Sequence, residues 1–91
     1  MAKYSASQTK AALRFLPDWT KKGSTIYRTF QFRDFATALE FVNALGRLAE
    51  RASHHPDIDI RYNKVSLALT THDEGGLTEK DFELATAIDQ L

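Results

Sequence analysis

The chain contains no cysteine, and its charges balance, with 12 lysine and arginine residues against 12 aspartate and glutamate residues. Without cysteine, a protein forms neither a disulfide nor a thiolate metal site. This composition fits a reducing compartment, and we predict a cytoplasmic protein. A net charge of zero argues against a protein that binds nucleic-acid phosphates. No apolar run has the length needed to cross a bilayer, and no signal-type apolar core follows the first residues, so we expect no membrane contact.

Apolar residues make up 43% of the 91 positions, which is enough for one hydrophobic core. Their spacing changes from the 3.6-residue period of a helix to the two-residue period of a strand and back. The predicted elements are helices over 5–15, over 34–51 and from Thr78 onwards, with a short extended piece at Trp19 and strands over 25–32, 58–62 and 65–71. We therefore predict one α+β domain over residues 1–91. Its four-stranded antiparallel sheet carries three helices packed on one face, in the order α-β-β-α-β-β-α.

Short polar motifs mark the predicted helix starts. Ser5 with Gln8, and Thr78 with Asp81, have the three-residue spacing of capping boxes, in which a side chain at each end accepts a hydrogen bond from the other residue's backbone. Asp34 precedes the long apolar stripe of the second helix and is an N-cap candidate. These motifs predict where each helix begins.

Two positions in the strands carry further predictions. Arg28 falls on the apolar side of its strand, so its side chain must either reach solvent or find an acidic partner. A solvated arginine at the edge of the sheet is the favoured interpretation. Asn63 and Lys64 are predicted to form the two-residue turn of the last hairpin.

All three histidines of the chain, His54, His55 and His72, fall in one short span. The first two follow the long helix and precede one strand of the last hairpin, whereas His72 ends the other strand. Because antiparallel strands bring the start of one beside the end of the next, the topology predicts that the histidines converge. Glu50 lies one helical turn before His54, within its reach. Histidine ordinarily titrates near neutral pH, so the cluster indicates acid–base chemistry.

Two other interpretations of the histidines are open. A helix C-terminus favours cations, so His54 and His55 would then cap the long helix and take no part in chemistry. His55 and Asp57, together with His72, also have the loose form of a metal site built from two histidines and one carboxylate. The acid–base interpretation expects no metal, so metal titration separates the two.

A set of ordered motifs resembles the pterin-4a-carbinolamine dehydratases. The motifs are Trp19, Glu50 with His54-His55-Pro56-Asp57, Tyr62-Asn63-Lys64-Val65, Thr71-His72, and Gly76-Leu77-Thr78 with Asp81. The resemblance covers nearly the whole chain. One departure is Ile58, which stands where the animal members have an aromatic residue.

The resemblance implies an α/β sandwich-like fold and the dehydration of 4a-hydroxytetrahydrobiopterin to quinonoid dihydrobiopterin, with no metal and no bound redox cofactor. It also implies that His54, His55 and His72 line the pterin pocket together with Glu50. The resemblance further implies that an aromatic amino acid hydroxylase supplies the substrate.

These residues suit the chemistry of this reaction. Loss of water needs a proton delivered to the hydroxyl and a proton removed from the neighbouring ring nitrogen, which histidines perform well near neutral pH. We predict that His54 and His72 carry the proton transfers, and that His55 binds and orients the ring. The carboxylates of Asp57 and Asp73 are candidates to orient an imidazole and contact substrate.

Trp19 is predicted either to form an apolar wall of the pterin pocket or to belong to the core. A broad apolar stripe on the long helix, together with a free sheet edge, predicts a homodimer or homotetramer. The alternative function is that of a protein-interaction module. The family that the chain resembles has animal members that act as dimerisation cofactors for a hepatocyte homeodomain transcription factor. It also has plant members that include an assembly factor for the carbon-fixing carboxylase. Such a role would leave the histidines dispensable.

Overall fold

The computed structural model describes residues 2–91 and consists of a four-stranded antiparallel sheet and three α-helices. The helices are α1 (Ala6–Leu13), α2 (Phe35–Ala52) and α3 (Glu79–Asp89). The strands are β1 (Thr20–Lys22), β2 (Thr25–Gln31), β3 (Asp57–Arg61) and β4 (Lys64–Leu69), and a 3-10 turn spans His72–Glu74. The predicted fold class and element order are confirmed. Within residues 2–91, none of the helices has the length and apolarity required to span a bilayer.

The strands lie in the order β1-β2-β4-β3, so β2 and β4 are central. Ile26 pairs with Leu69 and Phe30 with Val65 across these two strands. Because side chains alternate along a strand, these residues share the face that packs on the helices. Ile26, Val65 and Leu69 are completely buried there, and this face forms one wall of the hydrophobic core.

Each predicted helix start is present. The Ser5 and Gln8 pair forms a complete capping box on α1, and the Thr78 and Asp81 pair forms one on α3. Asp34 accepts hydrogen bonds from the backbone N–H and the side-chain hydroxyl of Thr37. These two bonds lower the pKa of the Asp34 carboxyl from its usual 3.8, and the bond from the Thr37 hydroxyl has the larger effect. The sequence motifs therefore form the caps they predict.

The end of α2 fixes the direction in which the chain enters the histidine segment. Ser53 adopts the left-handed conformation with φ 51°. The backbone N–H of His54 donates to the carbonyl of Ala49, and that of Ser53 to the carbonyl of Glu50, which is the Schellman pattern of helix termination. The turn at Ser53 takes His54 and His55 off the line of the helix.

The last hairpin turns one residue earlier than predicted. Arg61 pairs with Lys64, so the two-residue loop is Tyr62-Asn63 and not Asn63-Lys64. Tyr62 takes the left-handed conformation with φ 54°. The Asn63 side chain donates to the carbonyl of Phe32, which holds the loop against the end of β2. The turn thus includes a contact with a distant part of the chain, which local turn preference does not reveal.

The prediction of a solvated edge arginine at position 28 is wrong. Arg28 lies on a central strand, faces the helices and donates to the carboxylate of Asp89 at 2.8 Å. Its guanidinium also lies 4.1 Å from the centre of the Phe30 ring. Arg28 therefore has an acidic partner, which is the other possibility that its position allows. The partner is Asp89, the last residue of α3.

Candidate functional site

A surface cavity of about 250 Å³ lies where the chain leaves α2 and where β4 ends. It is lined by all three histidines together with Ser53, Thr70, Thr71, Asp73 and Lys80. The predicted convergence of the histidines at one end of the sheet is therefore seen in the structure. It follows from the antiparallel hairpin, which places the start of β3 beside the end of β4.

His54 is held by a buried carboxylate. Its ring Nε2 lies 2.6 Å from Oδ1 of Asp81, and the two side chains are 11% and 0% exposed. The second oxygen of Asp81 accepts from the backbone N–H of Thr78 at 2.9 Å and from the hydroxyl of Thr71 at 2.8 Å. A carboxylate that is fixed by several donors orients the imidazole it contacts. The side chain of His54 therefore does not cap α2, and its orientation is set from α3.

His55 turns the other way and meets a different carboxylate. Its Nε2 lies 2.5 Å from Oε2 of Glu50, and both side chains are largely exposed, at 62% and 78%. The expectation that Glu50 would contact His54 is wrong, because the left-handed turn at Ser53 moves His54 away from the helix axis. Exposed pairs of this kind contribute little to stability, so the pair's main effect is on the orientation of His55.

His72 and Asp73 enter the cavity from a short closed loop. An isolated bridge between Thr71 and Gly76 closes the loop at its base. Gly75 supplies the left-handed conformation, with φ 74°, that the turn requires. The loop is thus a compact element that brings His72 and Asp73 to the cavity.

The N-terminal segment lies against the base of this loop. The backbone N–H of Tyr4 donates to the carbonyl of Leu77 at 2.7 Å, and the Tyr4 ring stacks on that of Phe82 at a centroid distance of 5.2 Å. A side chain added at Gly76 would collide with the methylene groups of Lys3. Residues 3 and 4 therefore cover one side of the loop.

Two of the predicted substrate contacts lie elsewhere. Trp19 is 5% exposed, and its indole N–H donates to the carboxylate of Asp89 at 2.9 Å. It belongs to the core, which was the second interpretation of this residue. Asp57 pairs with Ala68 in the sheet and is absent from the residues that line the histidine cavity. The structure therefore brings Asp73, but neither Trp19 nor Asp57, to the histidines.

The sequence does not assign Asp81, Thr71 or Lys80 to the site, although Thr71 and Lys80 line the cavity and Asp81 holds His54. The sequence marks Asp81 as a helix cap and as part of the family motifs, but its contact with His54 joins residues 27 positions apart. The available signal was its place in the first turn of α3, directly after the glycine loop. Within residues 2–91, no three histidine or carboxylate side chains stand close enough together to hold a metal ion.

The arrangement is suited to proton exchange with a small bound molecule. Two imidazoles are each oriented through Nε2 by a carboxylate, and the third, that of His72, lines the same cavity. Lys80 lines the same cavity, and a lysine side chain is a hydrogen-bond donor. Imidazoles that are held in place exchange protons with a bound group at little reorganisation cost.

Comparison with known proteins points in the same direction. The family model for pterin 4 alpha carbinolamine dehydratase matches residues 2–91. A protein of Chloroflexus aurantiacus, provisionally named a pterin-4-alpha-carbinolamine dehydratase, is 54% identical over all of this chain and 98% of its own length. A protein of Acidobacterium capsulatum with the same provisional name is 50% identical over all of this chain and 99% of its own.

Two solved structures are also similar. The transcriptional coactivator/pterin dehydratase of Brucella melitensis has a TM-score of 0.93 and 37% identity, covering 97% of this chain and 96% of its own. A pterin dehydratase-like protein identified as a RuBisCO assembly factor in the alpha-carboxysome has a TM-score of 0.66 and 25% identity, covering 79% and 83%. From the family match and the identity over its full length, the chain belongs to the pterin-4-alpha-carbinolamine dehydratase family.

Proposed function

We propose that the protein dehydrates 4a-hydroxytetrahydrobiopterin to quinonoid dihydrobiopterin, using histidines as general acid and base. The observation that carries the proposal is the convergence of three imidazoles on one small cavity, two of them held by carboxylates. The cavity volume of about 250 Å³ lies just under the range of roughly 300–1,000 Å³ that is usual for drug-sized ligands.

The reaction breaks the bond between C4a and its hydroxyl oxygen and forms a double bond from C4a to the adjacent nitrogen. The hydroxyl leaves as water after it takes up one proton, and the nitrogen gives up another. The exchange therefore needs an acid and a base at separate positions and transfers no electrons to a second molecule. Histidines that reach the cavity from two separate segments, one after α2 and one after β4, match that requirement.

Within this proposal, His54 and His72 carry the two proton transfers, and His55 binds and orients the ring. His54 and His55 are adjacent in an extended segment, so their side chains point in different directions and serve different tasks. The carboxylate of Asp81 holds Nε2 of His54, which leaves Nδ1 for exchange. Asp73, which lines the same cavity, completes the proposed set.

A stopped-flow dehydration assay on the purified protein tests the proposal. Substitution of His54 or His72 by alanine should lower kcat by roughly a hundredfold, the lower end of what a positioned acid or base contributes, because carbinolamines also lose water unaided. Substitution of His55 should mainly raise KM. A near-normal kcat in either of the first two variants would remove that residue from the mechanism, and no acceleration by the unmodified protein would refute the function itself.

A matched pair of variants on α2 tests the role of the carboxylate beside His55. Glu50→Gln removes the charge that holds His55 and should raise KM. Glu40→Gln removes an exposed carboxylate from the same helix and should leave the kinetics unchanged. Equal effects in both variants would show that helix charge, and not the orientation of His55, is responsible.

A second candidate function is that of an interaction or assembly factor. It is favoured by the similarity to the RuBisCO assembly factor and by exposed apolar side chains on α2, Phe35 and Leu39. In that function the histidines would be dispensable. Binding of a partner that survives replacement of all three histidines, in a protein that does not accelerate dehydration, would favour it over catalysis.

We further propose a cytoplasmic homodimer or homotetramer that receives its substrate from an aromatic amino acid hydroxylase. Phe35 and Leu39 on α2, and Ile58 on the edge strand β3, leave apolar surface exposed in one copy of the chain. A second copy would cover such a surface. Light scattering that gives a monomer at micromolar concentration would contradict the oligomer.

A further inference from the structure

Thr71 lies at the base of the loop that carries His72. Its backbone N–H donates to the carbonyl of Gly76 at 3.2 Å, and the N–H of Gly76 returns a bond to the Thr71 carbonyl at 3.3 Å. The same carbonyl accepts from the backbone N–H of Glu74 at 3.1 Å. The main chain of Thr71 therefore fixes both ends of the loop over 72–75.

The side chain of Thr71 belongs to the other half of the site. Its hydroxyl oxygen lies 2.8 Å from Oδ2 of Asp81 and 2.9 Å from the hydroxyl of Thr78. An ionised carboxylate only accepts, so the Thr71 hydroxyl donates its one hydrogen to Asp81 and accepts from Thr78. The opposite oxygen of Asp81 holds His54. Hydrogen bonds from two sides thus meet at Asp81: Thr78 donates to Thr71 and Thr71 to Oδ2, while His54 donates to Oδ1.

We propose that Thr71 is a positioning residue that aligns the two proton-transferring histidines with each other. This inference rests on the proposed function and adds to it a residue that acts only through its neighbours. The hydroxyl of Thr71 fixes the carboxylate that orients His54, while its backbone fixes the loop that presents His72. One residue therefore joins two segments that are otherwise separate in the chain.

The geometry also determines what loss of the hydroxyl would do. Oδ2 of Asp81 has two donors, the Thr71 hydroxyl and the Thr78 backbone N–H. Without the hydroxyl, Oδ2 keeps the Thr78 N–H as its one donor and remains satisfied, but the carboxylate that holds His54 through Oδ1 is less firmly fixed. His54 would then lose alignment while the fold is retained, and small misalignments of a reacting group have large effects on rate.

The test compares Thr71→Val, which keeps the branched shape and removes the hydroxyl, with Thr71→Ser, which keeps the hydroxyl. Thr86→Val is the matched control, since the Thr86 hydroxyl bonds within α3 to the carbonyl of Phe82, away from the histidines. We expect Thr71→Val to lower kcat about tenfold with little change in KM. Thr71→Ser should restore most of the rate, and Thr86→Val should match the unmodified protein.

Nuclear magnetic resonance of the histidine ring nitrogens gives a readout that does not depend on activity. In the unmodified protein, the Nε2 hydrogen of His54 should exchange slowly because Asp81 holds it. In Thr71→Val the signal should broaden or shift, and in Thr71→Ser it should return. An unchanged His54 signal and an unchanged kcat in Thr71→Val would overturn the inference. If the unmodified protein proves inactive, the proposed function fails, but a changed His54 signal in Thr71→Val would still support positioning by Thr71.

Discussion

Replacement of Asp81 by alanine should destabilise the protein strongly, because this carboxylate is completely buried and closes three contacts at once. The backbone N–H of Thr78 would lose its acceptor in a position without access to water. An orphaned buried donor costs about 1–3 kcal/mol. Loss of the capping box and of a negative charge at the start of α3 adds about 0.5–1 kcal/mol.

The expected loss of unfolding free energy for Asp81→Ala is therefore about 1.5–4 kcal/mol, a fall in Tm of roughly 6–32 °C for a domain of this size. Asp81→Asn keeps an oxygen for the Thr78 N–H and should cost about 1 kcal/mol. Asp59→Ala is the control, because Asp59 is exposed and its contact with Arg61 is long, at 3.4 Å. That variant should stay within about 0.5 kcal/mol of the unmodified protein.

Urea denaturation followed by tryptophan fluorescence measures these differences. Trp19 is the only tryptophan and is buried, so its emission reports loss of the core. If Asp81→Ala unfolds at the same urea concentration as the unmodified protein, the carboxylate does not satisfy the buried donor. Asp81 would then neither cap α3 nor hold His54 in the folded protein.

Three further predictions concern residues outside the cavity. Arg28→Met removes the donor that faces Asp89 and should lower the unfolding free energy, measured by urea denaturation, by about 1–2 kcal/mol. Arg14 is exposed, so the control variant Arg14→Met should leave the unfolding free energy almost unchanged. Gly46→Ala should raise the unfolding free energy by about 0.5–1 kcal/mol, because an added Cβ would meet no atom within 4 Å. A lower unfolding free energy in this variant would show that another surface packs against Gly46. The lowered pKa of Asp34 means that its ionised form stabilises the folded state above pH 3.8 and that this contribution is lost as pH falls through the lower folded pKa. The difference in denaturation midpoint between the unmodified protein and Asp34→Ala should accordingly be full at neutral pH and vanish in acid.

Local patterns in the sequence were sufficient to predict the elements and the meeting of the histidines. The period of apolar residues and the capping motifs depend on neighbours within four positions, so they can be recognised without knowing the fold. The convergence of His54, His55 and His72 followed from hairpin topology alone. Each of these predictions rests on geometry that is the same in any protein.

Partner identities could not be predicted in the same way. Asp81 meets His54 and Asp89 meets Arg28 only because α3 packs beside α2 and the sheet, and these pairs are 27 and 61 positions apart. Helical spacing alone would put Glu50 beside His54, but the left-handed conformation of Ser53 ends the helix in a way that the sequence does not specify. The left-handed residue at a helix end is usually glycine, so a serine at this position gives no signal in the sequence.

The contact between the N-terminal segment and the loop of His72 has a practical consequence for handling the protein. Tyr4 and Lys3 cover Leu77 and Gly76, so a purification tag or a protease cut just before them acts close to the functional cavity although it is some 70 positions away in sequence. Leu91 is exposed and offers a safer point of attachment. Activity measured on protein tagged at its beginning should therefore be compared with protein tagged at its end before any difference between variants is assigned to chemistry.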